Sequence, residues 1–161
     1  MRHVLTAVLL ALGTAAPAQE LVFSPNATEA CLSGGGGSAC IGQSADACVN
    51  ATEGGYSTVG MGACLDQEWQ YWDARLNAAY STVMEEAGKA DAELEEFGSA
   101  APRQAPAMRD MQRAWIAFRD AKCAYEASTW GGGTGAGPAA IQCMMVTTGV
   151  QALYLEAQLP E

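Results

Sequence analysis

The sequence predicts an all-α domain of three to four helices, stapled by disulfides and preceded by an irregular glycine- and cysteine-rich lead. Three observations carry this expectation. Apolar residues recur at steps of three and four, the helical period, in stretches beginning near Leu65, Pro106 and Pro138. No stretch shows the period-two alternation of a half-buried strand. Six cysteines, an even number, stand at 31, 40, 48, 64, 123 and 143, a usage that suits an oxidising compartment.

The elements follow in order. Arg2 and His3 precede an apolar run from Val4 to Leu12 and then Ala16-Pro17-Ala18. This is the pattern of a secretory signal peptide over residues 1–18, cut after Ala18. The apolar run is too short to span a bilayer and nothing comparable to ~20 apolar residues follows. The residue directly after the cut is Gln19 and not a cysteine, so no lipid anchor is expected, and the membrane is not a predicted partner. The remaining residues divide into a lead, 19–63, and a helical domain, 64–161.

The lead contains CLSGGGGSAC at 31–40 and TEGGYSTVGMG at 52–62. It reads as irregular chain held by cysteines, with the tetraglycine at the tip of a disulfide-bounded loop. From Leu65, the positions Leu65, Trp69, Trp72, Leu76, Tyr80, Val83 and Ala87 share one helical face, and Gly88 reads as its stop. The acidic stretch 85–96 reads as a solvated helix or partly ordered segment, and GSAAPRQAP at 98–106 as a connection. A second helix runs from about Pro106 to Ser128, with Met108, Met111, Trp115, Phe118 and Tyr125 on one stripe. A third runs from Pro138 through Leu159 and is ended by Pro160. Gly149 lies inside it, where glycine costs about 1 kcal/mol relative to alanine, an expense that close approach of a neighbouring helix would offset.

The charge excludes several functions. Eighteen acidic against eight basic side chains give a net charge of -10, and removing Arg2 makes it -11. Phosphate backbones are repelled, so nucleic acid is a poor partner, whereas cationic proteins are attracted. The one histidine, His3, belongs to the predicted signal peptide. Without it a Ser-His-Asp triad, a Cys-His dyad or a histidine metal site has no imidazole. No C-x-x-C motif occurs, which removes thioredoxin-type redox chemistry. The glycine run GGGTGAGP at 131–138 lacks the lysine of a phosphate-binding loop, fails the dinucleotide register and follows a helix instead of a strand. It reads as the corner of a helical hairpin, and neither metal nor cofactor is expected.

That corner gives one disulfide from geometry. Cys123 lies six residues before Thr129, and Cys143 five after Pro138, so at ~1.5 Å per residue both sit roughly 8–9 Å below the turn. Cys123 therefore pairs with Cys143. The other four cysteines admit three pairings. The local one, Cys31 with Cys40 and Cys48 with Cys64, is preferred.

Glu68 and Asp73 on the first helix, with Asp120 and Glu126 on the second, could form a hydrolytic carboxylate pair. With eighteen acids such a pair arises by chance, and these read instead as surface charges or partners of Arg75, Arg113 and Arg119. Trp69, Trp72 and Trp115 read as core. Trp130, at the edge of the glycine corner, either packs over the helix ends or is exposed for recognition.

The blocks CLDQEWQYWDARLNAAYSTVM at 64–84 and MRDMQRAWIAFRDAKCAYEASTWGGGTGAGPAAIQC at 108–143 resemble the LprI-like family of secreted bacterial proteins. The likeness lies in Asp73, Leu76-Asn77-x-x-Tyr80, Gln112-Arg113-x-Trp115, Phe118-Arg119-Asp120-x-x-Cys123 and the glycine turn before Cys143. The sequence departs in the last helix, where Gln151 stands in an arginine-like place, and in the elaborated lead. The resemblance implies a helical, exported, disulfide-bonded protein that inhibits lysozyme and is not an enzyme. Its motif residues read as structural, with Arg113, Arg119 and Asp120 facing Asp73 and Asn77 and an arginine-carboxylate pair fixing helix register. The expected function is a periplasmic binding protein that inhibits a cationic lysozyme-like glycan hydrolase, with Trp130 as a contact. An envelope interaction or stress module with another protein partner is the alternative, and a carboxylate-dependent glycan-acting enzyme comes last.

Overall fold

A computed structural model describes residues 20–160; the expected signal peptide and its cleavage point lie outside the described residues. The architecture is all-α. Among the described residues five α-helices follow one another, α1 (Asn26–Ser33), α2 (Gln43–Ala51), α3 (Thr58–Glu96), α4 (Gln104–Ser128) and α5 (Ala136–Glu156), with a 3₁₀ turn at Gly37–Cys40 before α2. No strand occurs among the described residues. None of the described helices is long and apolar enough to cross a membrane.

The spine is α3, whose 39 residues rise about 58 Å. Its buried positions Leu65, Glu68, Trp72, Leu76, Ala79, Val83 and Ala87 keep the spacing of a single helical face. Against that face lies α5, contributing Met145, Ala152 and Leu155 to one core with Leu65, Trp72, Leu76 and Ala79. Trp72 is completely buried, and α4 closes the layer through Met108, Met111 and Trp115.

Two features correct the sequence reading. The lead is not irregular, for it holds α1, the 3₁₀ turn, α2 and the first turns of α3. Its glycines misled because they serve close packing here: a Cβ at Gly60 would lie 2.3 Å from the Gly54 carbonyl oxygen, so the preceding turn rests directly on α3. Ser57 caps α3 by accepting from the Gly60 N–H at 3.0 Å. The second correction is Gly88, which does not stop α3. Val83 and Ala87 remain buried on either side of the last core turn, and Lys89 bonds Glu85 and Glu86 across it. Burial of Val83 and Ala87 outweighs the roughly 1 kcal/mol cost of a helical glycine, and the exposed Lys89 pairs add a little. Lys89 also draws the Glu85 carboxyl below its ordinary pKa. This increment of helix support is present above the usual carboxylate pKa and fades as pH falls through the lowered value.

Instead α3 ends at Glu96, and the chain reverses through Gly98 at φ +62°. Asp91 of α3 then starts α4: its carboxylate accepts from the backbone N–H groups of Gln104 and Ala105 at 2.6 and 2.9 Å. Gly149 is closely approached, but by a side chain and not by a helix. A Cβ there would stand 2.8 Å from Ile41 Cδ1.

Three disulfides close the fold, Cys31–Cys40, Cys48–Cys64 and Cys123–Cys143. The first two tie the lead to itself and to α3, and the third joins α4 to α5 below their corner. Each cross-link reduces the freedom of the unfolded chain, by about 3 kcal/mol for loops of this size.

The far end of α5 is fixed by an ion pair that the sequence did not suggest. Arg75 donates through Nε and Nη2 to the two carboxylate oxygens of Glu156, at 2.7 and 2.8 Å, and through Nη1 to the Tyr71 hydroxyl. The hydrogen bond with Glu156 holds the guanidinium above its ordinary pKa against the opposing effect of burial. Arg75→Ala is expected to lower the unfolding free energy by about 1–2 kcal/mol, since the pair is bidentate yet only partly buried. Urea denaturation checks this, and Arg75→Lys should recover less than half of the loss because lysine lacks the fork.

Candidate functional site

The acidic candidates separate first. Glu68 is fully buried. Its Oε1 accepts from the Thr28 hydroxyl at 2.9 Å, the Gly42 N–H at 2.7 Å and Trp72 Nε1 at 3.0 Å, and its Oε2 from the Ala45 N–H at 2.6 Å. Gly42 is the N-cap of α2 and carries no side chain to cap it. The carboxylate of α3 thus performs the capping from outside, where unsatisfied N–H groups and the helix dipole favour negative charge. Thr28 and Ser44 exchange hydrogen bonds beside it. Glu68 is therefore neither a surface charge nor an arginine partner: fully buried, with four donors on its two oxygens, it is committed to docking the lead.

Asp73 accepts from Asn77 at 2.9 Å on its own helix, and Asp120 is paired with Arg119 at 2.9 Å. The structure does not assemble Glu68, Asp73, Asp120 and Glu126 into one site. Among the described residues no cluster of three or more histidine, cysteine, aspartate or glutamate side chains could hold a metal ion.

The family-motif residues divide between core and surface. Leu76 is buried, and Tyr80 and Trp115 pack against the core. Gln112 is buried and accepts from Gln151 Nε2 at 3.1 Å, while the same Nε2 reaches Met111 Sδ at 3.5 Å. Gln151, in the arginine-like position, thus links α5 to α4 without a charge. The expected arginine-carboxylate pair between α3 and α4 does not form. Arg119 lies over the Trp115 ring at 5.0 Å, and Arg113 meets only Asp110, at 3.9 Å with both side chains more than 70% exposed. The register is held by Asp91, Arg75–Glu156 and the Gln112–Gln151 contact instead. Asn77, Tyr80, Arg109, Gln112, Arg113 and Ile116 line a groove of about 370 Å³ between α3 and α4.

The glycine corner presents the other surface. Two of its residues, Gly131 and Gly132, take φ of +57° and +83°, a conformation that only glycine adopts freely. They turn the chain so that the Trp130 indole lies on Gly135, where a Cβ would stand 2.2 Å from ring carbon Cζ3. Gly135 is the seat of the tryptophan. Both readings of Trp130 are realised together, since the ring packs over the start of α5 and is still 53% exposed. A groove of about 340 Å³ flanks it on each side. One is lined by Lys122, Glu126, Ala139, Gln142, Cys143 and Val146, the other by Thr58, Met61, Thr134, Pro138 and neighbours. The Cys123–Cys143 bridge fixes the corner, with Cα atoms 5.4 Å apart.

On α4, Phe118 and Tyr125 are 60% and 68% exposed, contrary to their expected place on the apolar stripe of that helix. On α5, Val146, Val150 and Tyr154 form an exposed row at i, i+4 and i+8. The arrangement has the parts of a protein-binding surface, namely a half-exposed aromatic anchor on a cross-linked support, shallow grooves and charged residues at the margin.

The chain is 30% identical over 120 residues to an uncharacterized 17.7 kDa protein in the puhA 5' region of Rhodobacter capsulatus, covering 74% of each chain. It is also 34% identical over 67 residues to an uncharacterized protein of Rhizobium meliloti (strain 1021), covering 42% of this chain and 48% of the relative. No solved structure matches. The family model described as lysozyme inhibitor LprI matches residues 48–155, a span that holds α3, α4 and nearly all of α5 together with two of the three disulfides. The chain belongs to the LprI lysozyme-inhibitor family.

Proposed function

We propose that this is a secreted, periplasmic binding protein that inhibits a lysozyme-like glycan hydrolase, with the Trp130 corner in the interface. The observation that carries the reading is the half-exposed indole seated on Gly135 and anchored by the Cys123–Cys143 bridge. Tryptophan is prominent among the residues that dominate binding energy, and a prepositioned ring gives up little entropy on association. Membership of the lysozyme-inhibitor family supplies the target class. The acidic balance of the chain, -10, favours encounter with a cationic enzyme. Predicted export through residues 1–18 would place the protein in the oxidising compartment that three disulfides require.

A cell-wall lysis assay tests the reading. The oxidised protein should inhibit, and Trp130→Ala should weaken inhibition about tenfold or more while leaving unfolding little changed, since the ring is half outside the fold. Equal inhibition by the two forms would remove Trp130 from the interface.

A further inference from the structure

Resting on that reading, we propose that the α3–α4 groove receives a carboxylate of the hydrolase's catalytic pair, held by Arg109 and Arg113. These arginines stand one turn apart on α4 and line the groove of about 370 Å³ with Asn77, Tyr80, Gln112 and Ile116. They differ from the other basic side chains among the described residues. Arg75 is committed to Glu156, Lys89 to Glu85 and Glu86, Arg103 to the Asp91 carbonyl, Arg119 to Asp120 and Trp115, and Lys122 to the Thr147 hydroxyl. Arg109 has no hydrogen bond or ion pair to a described residue, and Arg113 has only the exposed Asp110 at 3.9 Å.

Two like charges one turn apart do not stabilise a helix, and neither arginine holds the fold. In a chain of net charge -10 the groove's lining holds these two cations and no acid, a local reversal of sign that Asp110, 3.9 Å from Arg113, offsets only in part. Such a reversal suits a partner that is cationic overall and anionic at one spot. The cationic hydrolase proposed as target would match that description, because a glycan hydrolase's cleft carries a carboxyl pair of which one member is ionised. Guanidinium forks meet carboxylates bidentately, and arginine is enriched at interface cores. Behind the arginines the groove is firm, since Gln112 is buried and fixed by Gln151 and Asn77 is held by Asp73. Long-range attraction between the acidic body and the enzyme would bring the two together, and the arginines would set the orientation.

The experiment is a double-mutant cycle on the oxidised full chain, using a lysozyme that the unaltered chain binds. One axis is Arg109→Gln with Arg113→Gln; the other is the enzyme's ionised catalytic carboxylate, the nucleophile or base of the pair, changed to its amide. The arginine changes should weaken binding of the active enzyme about tenfold or more, yet weaken binding of the amide enzyme no more than about twofold to threefold. Lys89→Gln, which removes an exposed cation elsewhere on α3, should change affinity less than about twofold. The enzyme change alone should weaken the unaltered chain, which keeps the test decisive should an arginine variant fold poorly. Equal losses on both enzymes, or none on either, would overturn the inference while leaving the inhibitor reading intact. Absence of any binding by the unaltered chain refutes the inhibitor reading itself, and this inference with it.

Discussion

Replacing Glu68 with alanine should lower the unfolding free energy by about 3–5 kcal/mol, the range for stripping one partner from a buried, hydrogen-bonded charged group. Four donors lose their acceptor at once: the Thr28 hydroxyl, the Gly42 and Ala45 amides and the Trp72 indole. All lie in the lead or the core, so the damage is directional. The N-terminus of α2 loses its cap, and α1 loses the Thr28 anchor that ties it to α3. Glu68→Gln is expected to cost less, about 1–3 kcal/mol. An amide with its oxygen at the Oε1 position keeps three bonds and sets an N–H against the Ala45 N–H. Chemical denaturation of the oxidised variants measures the order, unaltered over Gln over Ala. Hydrogen exchange should show protection lost first in residues 26–51, which the Cys31–Cys40 and Cys48–Cys64 bridges still tether. Variants as stable as the parent would mean that the buried carboxylate is not what docks the lead.

Gly135→Ala should abolish most of the inhibition while leaving the fold nearly as stable as before. Gly135 sits at φ -72° and ψ -13°, ordinary helical values that alanine adopts without strain, and the substitution by itself favours folding by about 0.4–1 kcal/mol through the unfolded state. The new Cβ would nevertheless meet the Trp130 ring at 2.2 Å. The indole must leave its seat. Inhibition should fall about tenfold, to the level of Trp130→Ala, and the double variant should be no worse than either single one because both remove the same anchor. Trp130 fluorescence, isolated by difference against Trp130→Phe, should move to the red as the ring enters water. Additive losses in the double variant would show that Gly135 acts through something other than the tryptophan.

How much of this was legible in the sequence depended on the range over which each residue acts. The all-α class, the three principal helices and the corner at 131–138 follow from periodicity and glycine, which are local signals. The pairing of Cys123 with Cys143 needed only helix geometry. The roles of Glu68 and Asp91 were not legible, because each caps a helix other than its own, and an acid at helical spacing looks the same whether it faces water or the N-terminus of a neighbour. Arg75 and Glu156 stand 81 residues apart, beyond the reach of any local pattern. The glycines of the lead read as flexibility, whereas at Gly60 glycine marks direct contact of backbone with backbone. For the candidate site, Trp130 was identifiable by its position, but its seat on Gly135 was not. Arg113 reads as a register-fixing partner, and only the surroundings of each cation show that Arg113 meets just the exposed Asp110 and that Arg109 is uncommitted.

The central claim is inhibition of a lysozyme-like enzyme, and the direct test is a titration of the purified, oxidised protein against lysozymes of several classes, at low and at high ionic strength. At least one class should be inhibited with a saturating, near-stoichiometric binding curve, and the affinity should fall as salt screens the attraction between the acidic protein and its cationic target. Neither binding nor inhibition of any class at low ionic strength would contradict it.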